Sequence, residues 1–327
     1  MKLPLLILCV GLASASTNSP AQLALETFGE PLDAKNVDIV WNVPSNALPA
    51  SLTTFKVLPT VFASEIVSNV IQLCGFKDPE RVRATFSAVN DGKTISYTEP
   101  YPGKPVFGKS LCISPANGFI SFSDPTASSL PRVPAEAVPT HEEALELAVA
   151  LLPKLGISVS DLTHKPASNQ LAYLATATTN GRFDKAQKKV VEDVAVRGVK
   201  LFRELNGVSF SGPGDCGGVR VEFGNHAKIR ELALAWRNLR PDKRLAALTP
   251  AEITQAIRAG KAVIRRPEDL ADATAIKKIT VTQVRPYYYG LSGTDRQKTV
   301  YPYLMLTADA TTSHTNLVVT LNCPVLR

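Results

Sequence analysis

Proline and glycine punctuate this chain throughout, with 24 prolines, 19 glycines and no collagen-like period. Proline removes a backbone donor and glycine favours turns, so this spacing restricts the chain to short elements joined by many turns and excludes a collagen-like fibre. With 45% hydrophobic residues over 327 positions the chain can still bury a core, and intrinsic disorder is not expected. The length suits two compact units better than one small domain. The formal charge of +7, from 36 Lys and Arg against 29 Asp and Glu, is basic but modest.

The beginning of the chain reads as a secretory signal peptide over residues 1–15. Lys2 precedes an apolar run over 3–13, and Ala13-Ser14-Ala15 supplies a small-residue cleavage signal. That run is too short to span a bilayer, and no later stretch of about 18 nearly uninterrupted apolar residues follows, so no transmembrane helix is expected in the mature chain. Cleavage leaves 312 residues, a charge of +6 and a secreted or extracytoplasmic location. Cys9 departs with the signal, leaving Cys74, Cys112, Cys216 and Cys323. In an oxidising compartment this even set predicts two structural disulfides. Of the three complete pairings, Cys74–Cys112 with Cys216–Cys323 staples each half separately and is preferred. The absence of a CxxC spacing argues against a thiol oxidoreductase or a cysteine-rich metal site.

Periodicity then divides the mature chain. Residues 16–54 read as an exposed leader. Residues 55–124 form a first unit, with a helix over 62–74 from the spacing of Phe62, Ile66, Val70 and Leu73, then strands over 83–89, 94–98, 110–114 and 118–123. A Pro- and Ser-containing linker covers 125–139. The second unit, 140–248, opens on a capping box in which Thr140 accepts from the start of the helix and Glu143 reaches back. Strands follow over 171–178 and 190–203, then a hairpin formed by 219–223 and 232–236. The third unit, 249–327, repeats the syntax. Thr249-Pro250-Ala251-Glu252 starts a helix that Gly260 stops, and strands cover 278–288, 300–308 and 315–322. The predicted fold class is therefore α+β, a weak repeat of helix plus antiparallel meander modules, with the third unit able to share a core with the second.

Three stretches carry a resemblance to a known family: Thr140-His141-Glu142-Glu143-Ala144; Gly207-Val208-Ser209-Phe210 followed by 219–224 and 230–239; and Tyr287-Tyr288-Tyr289-Gly290 with Tyr301-Pro302-Tyr303. Over 140–321 the chain resembles the extracytoplasmic PepSY-like and YycI-like superfamily of regulatory or inhibitory domains. The resemblance implies small cystatin-like α+β modules that act through protein contacts rather than by turning over a substrate.

Catalytic constellations are weak. His141, His164, His226 and His314 include no HExxH or HxxEH arrangement, so no metal site is expected. Glu142 and Glu143 belong to helix capping, and no GxSxG announces a nucleophile turn. The stretch 212–218, Gly-Pro-Gly-Asp-Cys-Gly-Gly, lacks the lysine and hydroxyl of a Walker phosphate loop and reads as a turn pinned by Cys216. No cofactor is implied.

Binding features are stronger. Tyr287, Tyr289, Tyr301 and Tyr303, framed by Arg285 and Arg296, form an aromatic and basic region, with Trp236 and Arg237 as a second such edge. Between Arg182 and Arg244, 14 basic residues against 8 acidic ones suit an extracellular protein or an acidic surface ligand. No recognition helix or RNP pattern supports specific nucleic-acid binding. These residues point to a secreted protein-binding, inhibitory or regulatory module acting by surface recognition, favoured as a non-enzyme. The alternative is a secreted hydrolase whose catalytic constellation assembles only in the fold.

Overall fold

The structure, a computed structural model, describes residues 29–325 apart from 33, 45, 102, 103, 129–132, 167, 213, 214, 266–275, 313 and 314. The expected signal peptide with Cys9, the first part of the expected leader, and His314 lie outside the described residues.

Along the chain the elements are β1 (Glu30–Pro31), β2 (Asp38–Trp41), β3 (Ser51–Leu58), α1 (Ser64–Cys74), α2 (Pro79–Thr85), β4 (Ile95–Tyr101), β5 (Lys104–Ser114) and β6 (Phe119–Ser123). They continue through α3 (His141–Leu151), β7 (Tyr173–Asp184), β8 (Lys189–Phe202), β9 (Glu204–Leu205), β10 (Val208–Ser211), β11 (Gly218–Phe223), β12 (Ile229–Ala235) and β13 (Asn238–Ala246). The last are α4 (Pro250–Arg258), β14 (Val263–Arg265), β15 (Lys278–Tyr289), β16 (Thr299–Val300), β17 (Pro302–Thr311) and β18 (Asn316–Pro324).

These 18 strands in three sheets overturn the expected α+β class of helix plus meander modules: the described chain is predominantly β, with four short α-helices laid on sheets. Strand length is one reason. β7 and β8 run for 12 and 14 residues, because branched and hydroxyl side chains such as Val190, Val191, Val194, Thr176 and Thr178 suit the pleat. The other reason lies in segments read as leader or turn. β3 and β13 pair with each other, and the proline-containing Arg240-Pro241-Asp242-Lys243-Arg244 is accommodated at a register irregularity between Pro241 and Arg244.

The first sheet is antiparallel, in the order β4-β5-β6-β12-β11-β8-β7. Its alternating residues Leu111, Ile113, Ile120, Phe122, Val199, Leu201, Val219, Val221, Leu232 and Leu234 face one core. Onto them pack Val67, Val70 and Ile71 of α1, Val82 of α2, and Ala144 and Ala148 of α3. Burial of this kind contributes about 1.5–3 kcal/mol per large apolar side chain.

The second sheet runs β1-β14-β18-β17-β15-β10-β9, with β2 also alongside β15. β2 and β10 both pair with β15 in parallel, near its beginning and its end. Ile253 and Ile257 of α4 and Leu52 and Phe55 of β3 pack on this sheet in a second core. The third sheet, β13-β3-β16, is thereby tied to it.

Sheet membership crosses the boundaries expected at 54/55, 124/125 and 248/249. β4–β6 join β7, β8, β11 and β12 in one sheet, and β9 and β10 join the sheet of the expected third unit. Within the described part of the expected leader, Leu32, Ala34 and Val37 are buried in the second core rather than exposed. Both capping boxes form: Thr140 Oγ1 accepts from Glu143 N–H while Glu143 accepts from Thr140 N–H, and Thr249 and Glu252 do the same.

The four cysteines are free thiols, which departs from both expected disulfides. Cys74 packs in the first core beside Leu111 and Ile113 of β5, and strand alternation turns Cys112 to the opposite face. Cys216 lies against Gly212 and Gly290, whereas Cys323 packs in the second core with its Sγ 3.9 Å from the Leu304 carbonyl. Burial raises the Cys74 and Cys216 pKa values and pushes Cys323 up to about 12. Iodoacetamide at about pH 8 is accordingly expected to modify half-buried Cys112 alone among the four in the native state, and all four after denaturation. Peptide mapping that finds two cysteines refractory even after denaturation without reductant would restore one crosslink, and four refractory cysteines would restore both.

Candidate recognition site

Strand alternation separates the tyrosine run of β15. Tyr288 faces the second core, edge-on to Phe55 at 5.2 Å and tilted against Phe210 at 5.5 Å. Tyr287 and Tyr289 face the other way. There Tyr287 stacks on Tyr303 of β17 at 5.8 Å, Tyr289 meets Tyr303 edge-on at 5.8 Å, and the Tyr287 hydroxyl donates to Asn322 Oδ1 at 3.0 Å. Val263 completes this satellite cluster, with Leu291 and Met305 packed against it. Burial raises the pKa of Tyr287 and Tyr303 and pushes Tyr288 up to about 12.

Past Tyr289 the chain turns through 290–298 to β16, and this turn is held by its own Gln297 and by side chains from distant parts of the sequence. Gln297 Nε2 donates to the Tyr289 carbonyl at 2.9 Å, and its Oε1 accepts from Leu291 N–H at 3.1 Å. Arg237, only 4% exposed, donates to the carbonyls of Leu291, Ser292 and Asp295 at 3.1, 2.9 and 3.1 Å. Asn117 Nδ2 donates to the Thr294 carbonyl at 3.1 Å. Gly293 lies so close to Phe119 that an added Cβ would stand 1.9 Å from its ring, so a larger residue there would push the turn away from the first sheet. Arg203 braces Arg237 in turn: its guanidinium lies 4.6 Å from the Trp236 ring and donates to the Arg237 carbonyl at 2.7 Å. Burial lowers the Arg203 pKa to about 10 and lowers that of Arg237.

The braced turn forms one wall of a recess of about 410 Å³ lined by Tyr289, Leu291, Arg296, Gln297, Lys298, Thr299, Tyr301 and Tyr303. Tyr301 is exposed, as are Arg296 and Lys298, so an aromatic floor carries a cationic rim. Such a recess can take an apolar or aromatic group and hold a carboxylate at its edge.

Of the eight residues expected to bind, Tyr289, Arg296, Tyr301 and Tyr303 converge here. Tyr287 stands behind Tyr303, buried. Trp236 and Arg237 support the turn from the first sheet instead of forming an exposed edge. Arg285 lies elsewhere, donating to Ser209 Oγ at 3.0 Å beside a groove of about 680 Å³ that also touches Val43 and His164. Sequence reasoning missed Leu291, Gln297, Lys298 and Thr299. The signal available for them was the Gly290 to Gly293 turn between two tyrosine-bearing strands.

Part of the basic stretch between 182 and 244 is engaged in ion pairs. Arg220 is paired with Asp215 at 2.6 Å, Glu222 at 2.7 Å and Glu231 at 2.6 Å, and Arg230 with Glu222 at 3.0 Å, which raises the Arg220 pKa further. This network of two arginines and three carboxylates braces the sheet face, and the basic excess of the stretch lies outside it. Elsewhere, His141 Nε2 lies 2.8 Å from Arg197, and His226 pairs with Glu136 at 3.2 Å.

No family model matches the chain, and no curated protein matches it. Among solved structures it is similar to an uncharacterized protein from Eubacterium rectale ATCC 33656, at 12% identity and a TM-score of 0.39, over 88% of this chain and 87% of that one. No helix among the described residues is long and apolar enough to cross a membrane.

Proposed function

We propose that the protein is an exported, non-catalytic recognition module whose recess takes an acidic segment of a partner protein. The observation that carries this proposal is the convergence of Tyr289, Tyr301, Tyr303, Arg296 and Lys298 around one recess of about 410 Å³. That volume suits one large side chain or a small organic group, and pockets of about 300–1,000 Å³ with a few placed polar groups are typical of ligand sites. An aromatic or aliphatic anchor of the partner fills the floor, and an adjacent Asp or Glu meets Arg296 and Lys298 at the rim. The partner is held by occlusion or by stabilising one of its conformations, without bond making.

Selection from phage-displayed peptides tests this. The expected outcome is enrichment of sequences with an aromatic or aliphatic residue next to Asp or Glu. Titration calorimetry on the best peptide should then show about tenfold weaker binding for each of Arg296→Ala, Lys298→Ala and Tyr301→Ala. No enrichment, or affinity in the three variants equal to that of the wild type, would sink the proposal.

A further inference from the structure

β11 pairs with β8 only over Arg197 to Phe202. The outer part of the β7–β8 hairpin therefore continues beyond the sheet as a two-stranded ribbon of six residue pairs, from Thr179 with Val194 to Asp184 with Lys189. At about 3.4 Å per residue the ribbon reaches roughly 20 Å. An isolated two-stranded ribbon is only marginally stable, and this one carries its own fastenings. Arg182 is bonded to Asp193, and Asp184 accepts from the N–H groups of Ala186 and Gln187 at 2.8 and 3.1 Å.

The tip contradicts ordinary surface composition. Phe183 and Val190 are a directly opposed cross-strand pair and are 61% and 67% exposed. Lys185 and Lys188 in the connecting turn, and Lys189 on the next pair with its side chain to the opposite face, are all exposed, and none forms an ion pair among the described residues. Asp184 is engaged by the turn and by Arg182, and Glu192 lies further from the tip. Thus the end of the ribbon presents an apolar pair on one face, with Glu192 two residues behind Val190, and three lysines without ion pairs at the turn and on the reverse face.

We propose that this tip docks the protein on an anionic lipid surface, with Phe183 and Val190 entering the interface and Lys185, Lys188 and Lys189 meeting the headgroups. Two opposed side chains at the end of a narrow ribbon offer far less than the roughly 1,200 Å² of a stable protein interface. Insertion into a bilayer boundary needs no complementary partner surface, and lysine stems reach headgroup charge while their methylenes lie along the apolar boundary. The occupant that fits both the shape and the charge is therefore lipid. This docking uses no residue of the recess and stands whether or not the recess binds a peptide.

Sedimentation with vesicles of equal parts phosphatidylglycerol and phosphatidylcholine tests the proposal, with pure phosphatidylcholine as the control. Wild-type chain is expected to sediment with the anionic vesicles and to remain in solution with the neutral ones. The triple variant Lys185→Gln, Lys188→Gln, Lys189→Gln should partition on the order of 100-fold more weakly, and Phe183→Ser about tenfold more weakly. Both should melt like wild type, and Arg296→Ala should bind vesicles undiminished. In Phe183→Trp the tip tryptophan emission should shift to the blue on anionic vesicles. Failure to sediment with anionic vesicles, the outcome expected of a tip that instead meets an acidic protein, overturns the proposal, as does equal partitioning of the variants.

Discussion

Replacing Arg237 by alanine is expected to destabilise the protein by about 3 kcal/mol and lower its melting temperature by roughly 5–10 °C. The guanidinium is buried and satisfies three carbonyls of the 290–298 turn, so its removal leaves those acceptors without their donor and opens a void beneath the turn. Burial lowers its pKa, so removing the charge also relieves a desolvation cost. Three charge-assisted bonds, at about 1.5–3 kcal/mol each, outweigh that relief. Arg285→Ala serves as the comparison, because Arg285 is exposed with one hydrogen bond to Ser209 and should change stability by only about 0.5 kcal/mol. Amide exchange should accelerate across 290–298 in Arg237→Ala and stay unchanged in Arg285→Ala. Matching melting curves for Arg237→Ala and wild type would show that the turn is held by other means.

Raising the pH past 10 should unfold the protein well before its exposed surface accounts for the loss. Tyr288 ionises near pH 10 in the unfolded chain but only at about 12 in the folded one, because its ring is buried between Phe55 and Phe210. The unfolded state therefore binds fewer protons above pH 10, and linkage makes stability fall as pH rises. The contribution is full below pH 10 and lost progressively up to about 12, amounting to about 3 kcal/mol for this residue from two pH units at about 1.4 kcal/mol each. Buried Tyr287 and Tyr303 act in the same direction. Urea midpoints compared at about pH 9 and about pH 11.5 should drop steeply, and Tyr288→Phe should flatten the drop. Equal midpoints at the two pH values would contradict the burial of these hydroxyls.

The elements legible in the sequence were those whose signals are local. Both Thr-x-x-Glu capping boxes start helices at the expected residues, and the hairpin of β11 and β12 and the strands β15, β17 and β18 follow their alternation. One local signal was overlooked: the stretch 83–89 looked like a strand, yet Asp78 accepts from Arg81 N–H and Pro79 opens helix α2. Pairing between distant segments was not legible. β3 and β13 stabilise each other across about 190 residues, and neither Pro241 nor the charges around it reveal a strand until a partner edge is present. The same holds for the parallel additions of β2 and β10 to β15.

The recess divides along the same line. The tyrosine and arginine types were visible, but which of them face outward depends on the register of β15 with β17 and on Arg237 reaching the turn across the boundary between sheets. A buried arginine donating only to backbone carbonyls looks in sequence like any surface arginine next to a tryptophan. Its role appears only once the carbonyls of 291, 292 and 295 are brought to it.

The most direct measurement of recognition through the recess is hydrogen–deuterium exchange by mass spectrometry on the full chain, with and without the best selected acidic peptide. The expected result is slowed exchange confined to 289–303, with the β7–β8 ribbon unaffected. Protection elsewhere, with 289–303 exchanging as in the free protein, would contradict it.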